Sequence, residues 1–336
     1  MKSRWFKCIL YLAGVLFLLI IAATVQKHRA DARFFDDYEP GLPCGEGIVS
    51  DEIMDDTKEI YGQKQIRRYR RIEYTIQARP GERIPCMLAL PPDPKERCPA
   101  VLLLHGSHQE KEFLDKVAAP FTRAGFAMTC FDQHMRGERR VQGKIQGIFA
   151  YRERSWKTVN DARRVLDYLE TRKDIDGDRL YLVGASYGAI TGCTVVARDK
   201  RLKAAVLVVG GGNLRTLVQA PAVKEYLPPW ARFLASPMIA CLMRPAEPTL
   251  YASQTSPVPV LMQNGDQDTV VTPASGKALY HTLGDPKEIR WYPCDHPGLR
   301  EQDQPVVLQI LDEGLTWLAE RDAENRGILE TPGELQ

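Results

Sequence analysis

The feature that most constrains how this chain can fold is a regular alternation between short apolar runs and longer amphipathic segments. Residues 100–104 form a continuous apolar run of the kind that is buried on both faces of a parallel sheet. Further strand-like runs cover 126–132, 180–183, 204–209, 258–263 and 288–292. Helical patterns separate these runs, and a final helical pattern covers 304–318. This alternation predicts an α/β domain with a doubly wound, mostly parallel sheet.

Two more strands are expected ahead of this alternation, over residues 65–76 and 83–90. Between them lies Arg-Pro-Gly-Glu at 79–82, a sequence typical of a tight turn. The two strands are therefore predicted to form an N-terminal hairpin.

One long interval interrupts the alternation. Residues 211–256 contain six prolines between short apolar pieces, and a structureless loop of this length is unusual, so we expect a short helical insertion. Loops at the carboxyl ends of parallel strands line the ligand crevice, which makes this insertion the natural lid. The main domain is expected over 65–320, preceded by a linker over 26–64 that is rich in Pro and Gly and followed by a polar tail over 321–336.

The amino-terminal segment is more apolar than the rest of the chain. Residues 8–25 form an uncharged run of 18 residues, about 27 Å long as a helix and just enough to cross a bilayer core. A cleaved signal peptide has a shorter apolar region closed by a site of small residues, and no clean site closes this one. We expect an uncleaved signal anchor over 1–25, or a secreted protein if the segment is cleaved. The basic residues ahead of the run favour a domain outside the cytoplasm, periplasmic or extracellular.

Charge and cysteine content narrow the functional classes. The 45 Lys and Arg residues nearly balance the 43 Asp and Glu residues, so a nucleic-acid partner is not expected. The densest basic run, at 67–71, is predicted to be an exposed strand. No Cys/His group has the spacing of a zinc site, so no metal is expected. Cys44, Cys86, Cys98 and Cys294 are candidates for disulfide pairing.

The sharpest chemical signal is Gly-Ala-Ser-Tyr-Gly at 184–188, which follows a predicted strand and opens a predicted helix. A tight turn between strand and helix lifts a serine hydroxyl above the sheet, and glycines on both sides let the backbone fold closely. The amino terminus of the helix also favours negative charge that develops beside it. Ser186 is therefore the candidate nucleophile.

A serine nucleophile needs a base, and on this kind of turn an acid and then a histidine follow it in the chain. Of the two histidines late enough, His281 lies inside a helical pattern and reads as a surface or packing residue. His296 follows the last predicted strand, in a loop that can bring an imidazole back over the sheet. His296 is the predicted base.

The acid is expected after the strand over 258–263. Asp268 is favoured over Asp266, because a glycine turn at 265 aims a carboxylate three residues later towards the histidine loop, which leaves Asp266 as a turn residue. Asp295 is a third candidate, weakened because adjacent loop residues seldom orient one another's rings.

An acyl-transfer site also needs donors for the oxyanion, taken from the amide after the nucleophile and from the loop after an early strand. These are predicted to be the amide of Tyr187 and the amide of Ser107 or its neighbour. His105, which opens the loop His-Gly-Ser-His at 105–108, is expected to brace that loop.

These motifs, with Asp132, Arg-Gly-Glu-Arg at 136–139 and Asp-Ile-Asp-Gly-Asp at 174–178, make residues 65–320 resemble the α/β-hydrolases of the dienelactone hydrolase, acetyl xylan esterase and prolyl oligopeptidase type. The resemblance implies an α/β-hydrolase fold and a Ser-His-Asp serine hydrolase that needs no cofactor. Fewer than 100 residues precede the hydrolase core, too few for the propeller that restricts peptide access in oligopeptidases. Cleavage of a carboxylic ester is therefore expected rather than cleavage of a peptide, and the expected partner is a small-molecule or acylated substrate. The alternatives are a peptidase or acyltransferase with the same triad, and a binding protein without turnover.

Overall fold

The computed structural model describes residues 19, 21–94, 96–140, 144–214, 216, 220–221, 229–298 and 301–328. The chain divides into two compact units, Met1–Asp37 and Tyr38–Gln336. In the first unit residues 21–32 form a helix, α1. Within the described part of the chain no helix is long and apolar enough to cross a membrane. The apolar run predicted as an anchor lies mostly outside that part.

The second unit is built on one nine-stranded sheet with the strand order β1-β2-β3-β5-β4-β6-β7-β8-β9. The strands are β1 (Gly47–Ile60), β2 (Gln63–Arg79), β3 (Glu82–Leu90), β4 (Cys98–Leu104), β5 (Ala127–Phe131), β6 (Ile175–Ala185), β7 (Leu202–Val208), β8 (Val260–Gly265) and β9 (Lys287–Tyr292). The first three strands pair antiparallel, β3 pairs antiparallel with β5, and the six strands from β5 to β9 are parallel. This confirms the mostly parallel α/β sheet and the N-terminal hairpin.

Helices cover both faces of the sheet, as parallel strands require. The helices are α2 (Leu114–Arg123), α3 (Lys144–Thr171), α4 (Tyr187–Arg198), α5 (Pro229–Leu242), α6 (Pro273–Thr282) and α7 (Gln304–Asn325). Helices α2 and α7 contact each other on one face, and α3 and α4 contact each other on the opposite face. The central strands between these layers are buried along nearly their whole length.

The segment predicted as a linker over 26–64 contains β1, so that prediction is wrong for its second half. Most side chains of β1 are exposed, and the strand therefore lacks the apolar alternation by which strands are recognised. Its acidic residues instead pair with the basic run of β2: Asp56 bonds Arg67 at 2.7 Å and Asp55 bonds Arg68 at 3.3 Å. The basic run is thus part of a strand, as predicted, but its charges are matched by the neighbouring strand.

The tail predicted over 321–336 begins inside α7, which continues to Asn325. The buried carboxylate of Asp322 accepts hydrogen bonds from the guanidinium of Arg179 at 2.8 and 2.6 Å and from the hydroxyl of Tyr181 at 2.8 Å. Both partners come from β6, far away in sequence, so the polar composition of this segment concealed its fixed end. Residues 329–336 lie outside the described part.

All seven described cysteines are free, and so Cys44, Cys86, Cys98 and Cys294 form no disulfide. Cys86, Cys98 and Cys294 are buried, and burial raises the pKa of the Cys294 thiol to about 11. Like Cys130 and Cys193, they serve as small core residues.

The described part of the insertion over 211–256 contains α5 and three short 3-10 helices. The last two of these, Pro248–Leu250 and Ala252–Thr255, pack against α4 and α6. Glu247 links the two ends of the insertion, because its carboxylate accepts hydrogen bonds from the amides of Asn213 at 2.8 Å and Leu214 at 2.6 Å.

Candidate active site

Ser186 lies on the sharp turn between β6 and α4, with a φ of 54° that non-glycine residues seldom adopt. The turn depends on its two glycines. A Cβ on Gly188 would lie 1.9 Å from the carbonyl oxygen of Leu104, and one on Gly184 would lie 2.4 Å from the carbonyl oxygen of Gly188. The strain at Ser186 and the close approach of the backbone together hold the hydroxyl above the carboxyl edge of the sheet.

Two loops bring His296 and Asp268 to this hydroxyl. The Nε2 atom of His296 lies 3.1 Å from the Oγ atom of Ser186, and its Nδ1 atom lies 2.7 Å from the Oδ2 atom of Asp268. Asp268 and His296 are both buried. The three side chains predicted from the sequence therefore form one hydrogen-bonded chain, although 110 residues separate Ser186 from His296.

The carboxylate of Asp268 has a fixed orientation. Its Oδ1 atom accepts hydrogen bonds from the amides of Val270 and Val271, both at 2.8 Å, which leaves Oδ2 directed at the imidazole. The alternative acid, Asp266, is exposed. Its amide bonds the carbonyl of Tyr292 at 2.9 Å, so it begins the turn that leads to Asp268.

Asp295 has a role that the sequence did not reveal. Its Oδ1 atom accepts hydrogen bonds from the amide and the hydroxyl of Thr269 and from the amide of His296, all at 2.8 Å. Asp295 thus joins the loop of the acid to the loop of the base. In the sequence the only sign of this role is that Asp295 stands next to the predicted base.

The loop after β4 places Ser107 beside the nucleophile. The carbonyl of Ser107 accepts hydrogen bonds from Arg136 and, at 3.4 Å, from Arg154. The guanidinium of Arg154 also lies 3.8 Å from the ring centre of Tyr187. Tyr187 is the first residue of α4, and the first amides of a helix point out of its amino-terminal end. Arg154 therefore contacts both residues whose amides are the candidate oxyanion donors.

Buried polar groups fix the backbone in and around the loop after β4. The carboxylate of Asp132 accepts hydrogen bonds from the amides of Lys111 at 2.9 Å and Glu138 at 3.0 Å. The ring of His105 is fully buried, its Nδ1 atom lies 2.8 Å from the carbonyl of Gly106, and burial lowers its pKa to about 4. His105 is thus a neutral bracing residue near neutral pH, and its ring is not among the groups that contact Ser186.

A cavity of about 480 Å³ opens beside Ser186 and His296. Near the hydroxyl it is lined by the loop from Gly106 to Gln109, and further inside by side chains of α2, α7 and the sheet. Among the described residues no group of three or more His, Cys, Asp or Glu side chains is placed to hold a metal ion.

None of the described residues of the insertion over 211–256 is among those that line this cavity, and its role as a lid stays a prediction. Its ends are tied together by Glu247, and its 3-10 helices pack against α4 and α6. The turn between β1 and β2 approaches the cavity instead, with Tyr61 in the lining. The segment predicted as a linker thus supplies a wall of the site.

The family comparison agrees with this arrangement. The model of the prolyl oligopeptidase family matches residues 115–305, more than half of the chain. The chain belongs to the prolyl oligopeptidase family. The matched stretch includes Ser186, Asp268 and His296, and it leaves β1 to β4 outside.

Relatives and solved structures are consistent with this family and with the α/β-hydrolase superfamily. A putative hydrolase of Bacillus subtilis, YtaP, is 24% identical over 187 residues, which cover 49% of this chain and 62% of that protein. The structure of acetyl xylan esterase 1 from Thermoanaerobacterium sp. is similar over 85% of this chain and 93% of its own, with 17% identity and a TM-score of 0.61. A puromycin-hydrolysing peptidase of Mycobacterium tuberculosis is similar over 77% of this chain and 42% of its own, with 18% identity and a TM-score of 0.61.

Proposed function

We propose that this hydrolase cleaves carboxylic esters through an acyl-enzyme formed on Ser186. The observation that carries the proposal is the hydrogen-bonded chain from Ser186 through His296 to Asp268, at the mouth of a cavity large enough for a small substrate. A serine on a strained turn whose hydroxyl contacts a buried, oriented imidazole is the arrangement that acyl transfer requires.

In the first half of the reaction the Oγ atom of Ser186 attacks the acyl carbonyl while Nε2 of His296 takes its proton. Asp268 accepts the Nδ1 hydrogen, which keeps Nε2 free to act as the base and stabilises the imidazolium that forms. His296 then gives the proton to the leaving alcohol. In the second half water attacks the acyl-enzyme while His296 takes its proton. His296 then returns the proton to the Oγ atom of Ser186, and the carboxylic acid product leaves.

Negative charge on the carbonyl oxygen is stabilised by the amides of Tyr187 and Ser107. Each donor aimed at the developing charge contributes on the order of 3 kcal/mol to lowering the barrier. Arg136 and Arg154 support these donors by holding the carbonyl of Ser107, and Arg154 also stacks on the ring of Tyr187.

Esters are proposed over peptides because of how far the similarity to each class of neighbour extends. The acetyl xylan esterase is covered over 93% of its length, whereas the puromycin-hydrolysing peptidase is covered over only 42%. A peptidase is the second candidate, favoured by the family to which the chain belongs.

The test is labelling of the purified protein with a fluorophosphonate probe, together with turnover of matched ester and peptide substrates. Ser186→Ala is expected to abolish labelling, and His296→Ala is expected to lower ester kcat by about 10⁴-fold to 10⁶-fold. His281→Ala, which changes an exposed histidine on α6, is the matched control and is expected to leave both unchanged.

Faster cleavage of peptides than of esters would favour the peptidase, and transfer of the acyl group to added alcohols would favour an acyltransferase. Ligand binding without labelling of the folded wild type would favour a binding protein and would overturn the proposal.

We also propose that residues 1–25 anchor the enzyme in a membrane, with the hydrolase domain outside the cytoplasm. The support is the uncharged run of 18 residues over 8–25 and the basic residues ahead of it. Carbonate extraction of membranes is expected to leave the full-length chain in the pellet, and protease added outside the cytoplasm is expected to reach the domain. A shortened, soluble chain would show cleavage and secretion.

A further inference from the structure

The cavity beside Ser186 continues into the protein between α2, α7 and the sheet. The polar residues that line it lie in the loop after β4 or at the mouth, where Lys116 is exposed. Its inner walls are apolar and more than nine-tenths buried, and they are formed by Leu103, Val117, Phe121, Met128, Val183 and Ile310. The cavity therefore has a polar end at the serine and an apolar inner end.

The strand register shows how far this apolar part extends. Leu103 and Val183 are paired neighbours at one level of the sheet, and Ser186 lies three residues beyond Val183. Met128 pairs with Val101, two residues before Leu103, so it lies about 7 Å further from the carboxyl edge at 3.3 Å per residue. Val183 in turn lies three residues, about 10 Å, before Ser186, so the cavity reaches about 17 Å inward from the serine along the strand direction.

The chemistry of the inner walls restricts what can occupy them. Aliphatic, aromatic and thioether side chains offer no partner for a hydroxyl or a peptide group, and a polar group buried there would lose its hydrogen bonds to water. A sugar ring or a polar peptide is therefore disfavoured. An unbranched hydrocarbon chain needs no such partners and is stabilised by every methylene that leaves water.

From this geometry we propose that the apolar cavity is an acyl channel and that the enzyme prefers esters of unbranched medium-chain fatty acids, from octanoyl to dodecanoyl. An extended hydrocarbon advances about 1.25 Å per carbon with bonds near 1.52 Å, so about eight carbons reach the level of Leu103 and Val183 and about thirteen reach Met128. An acetyl group would leave most of it empty. This inference rests on the proposed ester hydrolysis at Ser186, whose alcohol leaves through the open mouth.

The direct test is kcat/KM for p-nitrophenyl esters from acetyl through butyryl, hexanoyl and octanoyl to palmitoyl. Each buried methylene is expected to raise kcat/KM by about fourfold, so octanoyl exceeds acetyl on the order of a hundredfold once ordering costs are included. Palmitoyl is longer than the channel and is expected to fall below octanoyl.

Helix α7 offers a matched pair of variants. Leu311 and Leu315 lie one turn apart, are both half-buried and both pack against the same core cluster, but only Leu311 lines the cavity. In Leu311→Trp the larger ring fills the channel, so octanoyl activity is expected to fall about tenfold or more while acetyl activity changes less than about threefold. In Leu315→Trp the ratio of the two activities is expected to stay at the wild-type value. Urea unfolding of both variants verifies that they fold.

A wild type that prefers acetyl, or two tryptophan variants that change the octanoyl-to-acetyl ratio equally, would overturn the acyl channel. Fluorophosphonate labelling separates this failure from that of the proposed function. Labelling at Ser186 with a preference for acetyl refutes the channel alone, whereas no labelling and no ester turnover refutes both.

Discussion

Asp268 and Asp295 are both candidates for the acid, and their hydrogen bonds predict different losses of activity when each is replaced by asparagine. In Asp268→Asn the two amides of Val270 and Val271 need an acceptor at the Oδ1 position, so the new side chain must keep its oxygen there. Its NH₂ group then takes the Oδ2 position and points at Nδ1 of His296, 2.7 Å away in the wild type. Nδ1 must now accept, and the ring hydrogen moves to Nε2.

A hydrogen on Nε2 faces the hydroxyl of Ser186 and prevents the imidazole from acting as a base. Enforcing the wrong tautomer in this way is expected to lower kcat by about 10⁴-fold, which corresponds to about 5 kcal/mol of lost transition-state stabilisation. Folding should be affected little, because both amides keep their acceptor.

Asp295→Asn makes the same change from carboxylate to amide, but at a side chain that bonds the backbone amide of His296 and not its imidazole ring. The new amide oxygen can stay at Oδ1 and keep the bonds from Thr269 and from the amide of His296, each weakened because the acceptor is now neutral. The expected loss is about 1 to 3 kcal/mol in the free energy of unfolding and less than about tenfold in kcat.

The assay is ester kcat at pH 8 together with urea unfolding for the wild type and both variants. If Asp295→Asn lost as much activity as Asp268→Asn, Asp295 would be the acid and the tautomer argument would be wrong. The argument would fail equally if Asp268→Asn stayed within tenfold of the wild type.

Three further predictions concern stability. Burial lowers the pKa of His105 to about 4 and that of His134 to about 3, whereas the unfolded chain takes up these protons near pH 6.5. The free energy of unfolding should therefore fall as the pH drops from about 6.5 towards 4, by about 3 kcal/mol for His105 alone, and a flat profile in urea titrations would contradict this. Asp322→Ala leaves the buried Arg179 without its bidentate partner and should cost about 3 to 5 kcal/mol in urea unfolding, so a loss below 1 kcal/mol would show that the pair is dispensable. Gly188→Ala would place a Cβ 1.9 Å from a carbonyl oxygen of β4 and should lower the free energy of unfolding by about 3 kcal/mol or more. A variant that melts at the same temperature as the wild type would refute this.

The mostly parallel sheet could be predicted from the sequence because strands buried on both faces must be apolar, and β4 and the buried second half of β6 are. The turn at Ser186 was recognisable for a related reason. Its motif spans only five consecutive residues, although the contact that excludes a Cβ at Gly188 is with the carbonyl oxygen of Leu104 on β4.

The parts that were missed depend on partners far away in sequence. Strand β1 and the end of α7 are polar segments, and they lack the apolar pattern by which a strand or a packed helix end is recognised. Their partners are the arginines of β2 for β1 and Arg179 for Asp322.

The sequence by itself predicted the fold class and the candidate nucleophile, because apolar patterning marks the strands and the glycine motif marks the turn at Ser186, and the chain order that follows such a turn pointed to Asp268 and His296. Only the tertiary structure decided that Asp295 joins two loops, that Tyr61 rather than the described part of the insertion borders the cavity, and that the cavity passes between α2 and α7. Each of these depends on how separate elements pack against one another, and packing distances are not encoded in the local spacing of residues.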